Sequence, residues 1–222
     1  MTSVAQVKQV SRPLLERNSD LALVGRLVVL KPIRHLLRGI YIDRGSNPDI
    51  FRPTWLVNIL FQPGAHASFD WGERLDRRTR GVWDVGDPAT PTEMCDVIEQ
   101  CALPMLRRLH SIDDFVTFTS KERFPWTYLD GSLFSKTIVD VARANFDAAQ
   151  ASCAKVAGRR TPPPPDRLEE FDVLTKLLPP LLACSDRAGL AHLLHGWEAD
   201  SVKRLKLDEF WEPTPFPIES VR

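Results

Sequence analysis

The sequence has no surplus of charge, no paired-cysteine motif, no glycine-rich phosphate loop and no long apolar run. Each absence removes a class of function. Lys plus Arg and Asp plus Glu both number 29 in 222 residues. A chain without net positive charge lacks the broad field on which nonspecific nucleic-acid binding depends, so nucleic acid is not an expected partner. A net charge near zero also lowers colloidal repulsion and leaves a homo-oligomer open. The cysteines are Cys95, Cys101, Cys153 and Cys184, and no two are spaced as CxxC, which argues against a zinc ribbon or a thioredoxin-type dithiol. Cys95 and Cys101 lie six apart in an expected helix and do not sit side by side. Cys153 and Cys184 stand alone in helical runs and read as buried, inert thiols.

No G-x-G-x-x-G, Walker-type loop or G-x-S-x-G elbow occurs. No cofactor is expected. No apolar run approaches the length of a membrane span, and residues 1–10 carry no basic region followed by an apolar one. The expectation is a cytoplasmic protein with reduced thiols and no membrane partner.

What is present is the composition of a globular chain, 43% hydrophobic and 26% charged. Residues 27–62 form its centre: two β-rich runs flank a connection rich in Gly, Ser, Asn, Pro and Asp, the sequence form of a hairpin. The run 33–42 fits a helix face through Ile33, Leu36, Leu37 and Ile40, but Gly39 and the ending Ile40-Tyr41-Ile42 favour a strand. Residues 55–62 are apolar on both faces, as a central strand is. Residues 66–71 read as a third short strand, and 72–91 as a loop pinned by Trp83.

After residue 90 the period becomes helical. Thr90-Pro91-Thr92-Glu93 has the form of a capping box with proline at the first helical position. Ser111 to Asp114 reads as a second start, and Ser132 as the start of the longest helix, running to about residue 156. The last helix is expected from Ser185 to about Leu207, with Leu190, Leu193, Leu194 and Trp197 facing inward. The fold class is therefore α+β, with a small antiparallel sheet of about three strands (roughly 23–71) covered by helices, then an all-helical C-terminal half. The expected organisation is an α+β core domain over 1–157, a proline-rich linker over 158–165 that contains four consecutive prolines, and a helical appendage over 166–222, with packing of the appendage on the core as one domain left open.

Three groups carry candidate chemistry. Arg34, His35 and Arg38 form the best anion- or partner-binding candidate. On a strand Arg34 and Arg38 share a face, and two guanidinium groups can share a phosphate, a carboxylate or an acidic partner loop. The competing reading pairs them with Asp43, Asp49 or an acidic helix of the same chain, and it is favoured. His192, His195 and Glu198 recur at steps of three and are the candidate metal ligands, given a fourth ligand from elsewhere. A polar helix face accounts for them more simply and is favoured. Arg74, Arg77, Arg78 and Arg80 lie near Trp71 and Trp83, and such mixtures bind single strands of nucleic acid. The interspersed acids favour a solvated loop.

With no catalytic motif and six tryptophans, the leading expectation is a non-enzymatic protein-binding module, immunity- or adaptor-like, whose partner is another protein. The alternative is a small enzyme or anion-ligand-binding protein using the Arg34/His35/Arg38 face, or a metal site at His192/His195.

Overall fold

Ser3 opens the first helix, α1 (Val4–Arg17), with a capping box: its hydroxyl accepts from the Gln6 N–H while the Gln6 side chain accepts from the Ser3 N–H. Val7, Val10 and Leu14 are its buried stripe, and the helix runs four residues past Pro13 before Asn18 ends it. The structure is a computed structural model that describes residues 3–45, 47–64, 68–79, 81–124, 128–161 and 163–220.

Six strands follow, and the fold is α+β. They are β1 (Leu21–Val24), β2 (Leu27–Leu30), β3 (Leu36–Arg44), β4 (Ile50–Ile59), β5 (Gly72–Arg74) and β6 (Trp83–Asp84). The order in the sheet is β1-β2-β3-β4-β5, with β6 also on β4. The pairings β1–β2, β2–β3, β4–β5 and β4–β6 are antiparallel. The sheet is thus wider than about three strands. The extra members come from 72–91, read from sequence as a loop, where two short strands pair with successive stretches of β4. The short strand expected at 66–71 is not where pairing occurs: it starts at Gly72, and residues 66 and 67 lie outside the described set.

Two glycines are required by geometry. Gly25, at φ +62°, turns β1 into β2. Gly39 lies where β3 passes so close to β2 that a Cβ would fall 2.4 Å from the Val28 carbonyl oxygen. That close approach explains a glycine inside a run that otherwise hesitates between helix and strand. The strand reading of 33–42 holds from Leu36 onward. Ile33 instead makes an isolated parallel bridge with Trp211, donating to the Phe210 carbonyl at 2.9 Å and accepting from Glu212 at 2.8 Å.

The chain divides into two compact units. The first comprises Met1–Asn58, Ala67–Asp114 and Lys206–Glu212, and the second Ile59–His66, Phe115–Leu205 and Pro213–Arg222. Residues 158–165 fall inside the second unit. In the first, α2 (Thr90–Val97) continues through a π-helical turn (Ile98–Ala102) into α3 (Leu103–Leu106). The wide turn sits before Pro104: the Leu103 N–H reaches five residues back to Ile98, and proline offers no N–H to resume the α ladder. Ser111 and Asp114 then cap α4 (Ile112–Phe118) reciprocally, as their spacing predicts.

The second unit repeats the proline device. Here α7 (Leu168–Asp172) passes through a π-helical turn (Val173–Leu177) into α8 (Leu178–Ala183), just before Pro179-Pro180. Its other helices are α5 (Leu133–Ala142), α6 (Phe146–Ala157), α9 (Arg187–Leu205) and α10 (Pro217–Ser220). The single helix expected from Ser132 to about 156 is broken. Ala144 turns to φ 60°, and the Asn145 N–H bonds back to the Asp140 carbonyl at 2.8 Å. This is a left-handed C-cap built on alanine, with no glycine to announce it. The inward face of α9 is Leu190, Ala191, Leu194, Glu198, Ser201 and Val202, while Trp197 and Leu193 are only half-buried. Cys95 and Cys153 are buried, and burial pushes both thiols up to about 11. Cys184 is exposed at the end of α8, contrary to its reading as a buried thiol. No helix among the described residues is long and apolar enough to cross a membrane.

Candidate functional site

The capping box expected at 90–93 does not form, and the reason leads to the first of two cationic clusters. The N-cap position is Ala89, and no side chain caps the helix. Glu93 turns instead to the 72–91 segment. Its carboxylate accepts from Arg77 Nε at 2.9 Å and Nη2 at 2.5 Å, and from the Thr79 N–H at 3.1 Å. Arg77 Nη1 also donates to Asp87 at 2.8 Å. These bonds hold the Glu93 carboxyl down at about 2. Arg78 donates to Gln100. Arg77 lies over the Trp83 ring, 5.5 Å from its centroid. Trp83 is buried, stacks on Phe51 and donates from Nε1 to the Leu75 carbonyl at 2.7 Å, so it does pin the segment. Arg74 is exposed on β5, and Arg80 lies outside the described residues. Arg77, the member of this cluster most withdrawn from water, is neutralised by its own chain.

The second cluster is not. A cleft of about 390 Å³ in the first unit is lined by residues of the β2–β3 connection and by the segment after α3. Its basic residues are Lys31, Arg34, His35, Arg38, Arg107 and His110, and its single carboxylate is Asp20. Arg107 already grips that carboxylate with both arms, Nε to Oδ2 and Nη2 to Oδ1, each at 2.8 Å. The grip lowers the pKa of Asp20.

Arg38 is the most unusual member. It springs from β3, is only 7% exposed, and donates to two backbone carbonyls, Leu109 and Pro32, each at 2.9 Å. No carboxylate accepts from it among the described residues. Burial lowers its pKa from the usual arginine value, neighbouring Arg34 adds to the effect, and Asp20 opposes it. An arginine stays protonated under such a shift, so the cleft holds a poorly compensated positive charge. Arg34 stands at the mouth, half exposed, and donates to Glu212 at 3.3 Å. His110 is exposed, and its backbone N–H helps hold Asp114.

The structure therefore brings Arg34, His35 and Arg38 to one cleft, by a different route from strand alternation. Arg34 and His35 precede β3, so the turn through Pro32 places them, and only Arg38 is on the strand. The acids named as intramolecular partners, Asp43 and Asp49, do not line the cleft. Lys31, Arg107 and His110 were missed. Arg107 and His110 stand some seventy residues from Arg38 in sequence, and no spacing rule connects them.

His192, His195 and Glu198 diverge around α9. Steps of three residues each turn the helix back by roughly 60°, so the first and last of the set differ by about 120°. His192 is exposed and Glu198 is fully buried. His195 lies between two carboxylates: its Nε2 is 2.9 Å from Glu219, and its Nδ1 is 4.0 Å from Glu198. Among the described residues no group of three or more His, Cys, Asp or Glu is placed to hold a metal ion.

The cleft is suited to holding an anion: several N–H donors converge, and the local charge is positive. It offers no pair of carboxylates for acid–base work. Comparison with protein-family models, with curated proteins and with solved structures finds no match for this chain.

Proposed function

We propose that this chain is a binding protein for a small anionic ligand, carrying phosphate or carboxylate, taken up in the Arg34/His35/Arg38 cleft. The observation that supports it is Arg38: a buried guanidinium that donates to two carbonyls and, among the described residues, to no carboxylate, with Asp20, already gripped by Arg107, as the acid that acts on it from a distance. Burying a charge without a counterion costs free energy, and an arriving anion recovers part of it. The cleft volume of about 390 Å³ falls in the range of small-molecule sites. The free thiols Cys101 and Cys184, both exposed, suit a reducing, cytoplasmic setting.

The protein-docking reading draws less support, because tryptophans were its anchors. Trp55, Trp71 and Trp83 are buried in the first unit, Trp197 and Trp211 are half-buried, and Trp126 lies outside the described residues.

Thermal unfolding in phosphate against chloride, at equal ionic strength, tests the proposal. A ligand that binds only the folded state raises Tm with concentration. A saturable rise is expected for the wild type, with a reduced rise for Arg34→Ala. Equal Tm in phosphate and chloride at every concentration would overturn the reading.

A further inference from the structure

The sign of the charge reverses across the Lys31–Pro32 segment. On one side is the cleft just described, where Lys31, Arg34, Arg38 and Arg107 face the single carboxylate of Asp20. On the other is a second hollow of about 370 Å³, which shares Asp20, Lys31 and Pro32 with the first and is otherwise lined by Ser19 and residues 209–212. Those residues are Glu209, Phe210, Trp211 and Glu212: two aromatic rings and two carboxylates, of which Glu212 is the partner of Arg34. Both hollows belong to the first unit.

Carboxylates beside aromatic faces are the chemistry that recognises organic cations, quaternary ammonium above all. The Phe210 face already receives a cation, since the Lys31 ammonium lies 5.8 Å from its centroid. Glu209 is exposed. The segment is held in place by backbone bonds on both sides of Ile33, so its position does not depend on the side chains that line the hollow. A ligand with an anionic end alone would leave this second hollow unused, and Glu209 would repel any further negative charge.

We infer that the ligand is a zwitterion, with a phosphate at one end against Arg34 and Arg38 and an organic ammonium at the other among Glu209, Phe210, Trp211 and Glu212. Phosphocholine is the simplest compound with both ends. This inference rests on the anion-binding reading and adds the second end to it.

Isothermal titration with inorganic phosphate, choline and phosphocholine tests it on the full chain. Phosphocholine is expected to bind about tenfold tighter than phosphate, the gain of one moderate cation–aromatic contact. Glu209→Lys is expected to abolish that gain while leaving phosphate affinity equal or higher. Its unchanged Tm in chloride serves as the folding control. A phosphocholine affinity equal to that of phosphate, in wild type and variant alike, would overturn the zwitterion and leave the anion site standing. Failure of every phosphate compound to bind would overturn both. Displacement of bound phosphocholine by phosphatidylcholine vesicles at equal headgroup concentration would place the source in a lipid headgroup. Absence of displacement would place it in the free compound.

Discussion

Arg77 and Arg38 belong to the same compact unit, and each is almost withdrawn from water, yet their surroundings differ in kind. Arg77 is satisfied by Glu93 and Asp87, carboxylates supplied from ten to sixteen residues further along the chain. Arg38 is satisfied by two neutral carbonyls, and its nearest charged influences are another arginine and an aspartate already held by Arg107. The first arrangement is complete in itself and serves to fasten a loop. The second has two of the five guanidinium N–H groups bonded to neutral carbonyls and is incomplete in charge. A buried cation that is tied down but not neutralised is the condition under which an external anion gains most.

The contrast can be broken most severely at Trp83, which carries the neutralised cluster. Trp83→Ala removes a buried indole, its stacking on Phe51 and its bond to Leu75, and is expected to cost about 3–5 kcal/mol in urea unfolding. Phosphate-dependent stabilisation should survive in whatever fraction remains folded. Its disappearance along with the loop would show that the two clusters are not independent.

A smaller effect is expected at Arg38 itself. Arg38→Met keeps the apolar stem but leaves the Pro32 and Leu109 carbonyls without their donor, a loss of about 1–3 kcal/mol in the same measurement. The anion response should disappear entirely. A variant that loses stability but keeps its response to phosphate would move the binding site elsewhere.

Acid sharpens the comparison through the strongly depressed carboxyl of the Arg77 cluster, Glu93; Asp20, held by Arg107 in the second cluster, is lowered as well. Glu93 titrates at about 2 in the fold against an ordinary value of 4.5. Folding therefore favours its ionised form: the contribution is fully present above about pH 4.5 and is lost as pH falls toward 2. Glu93→Gln should flatten stability across that window, read as urea midpoints between pH 5 and pH 2.5. A slope equal to that of the wild type would deny the Arg77–Glu93 contact.

The smallest expected change is at Arg34. Its partner Glu212 is exposed, and such pairs contribute about 0–1 kcal/mol. Arg34→Ala should leave the urea midpoint almost unmoved while weakening phosphate binding. That separation of affinity from stability is what a residue at the mouth of a binding cleft should show.

Much of this was legible in the sequence, though unevenly. The β-branched pair at 28 and 29, and the two-faced run beyond Trp55, announced the sheet because burial on both sides leaves no room for polar alternation. The two π-helical turns were foreshadowed by Pro104 and Pro179, since a missing N–H must be accommodated somewhere. Ala144 was invisible, because an alanine in a left-handed cap carries none of the usual signals. Glu93 misled for a related reason: its spacing from Thr90 fitted a cap, but Arg77 offered a stronger partner from outside the helix. Arg34, His35 and Arg38 could be picked out as a cationic run. That they face a cleft with Arg107 and His110, and that Phe210 and Trp211 adjoin it, depends on how distant segments meet.

The central claim is that the Arg38 cleft, and not the Arg77 cluster, takes up anions. A nitrogen-15 NMR titration with inorganic phosphate at constant ionic strength examines both at once. The account predicts saturable shifts confined to amides of residues 31–38 and 107–112, with those of 74–79 unmoved. Shifts centred on 74–79, or none at 31–38, would contradict it.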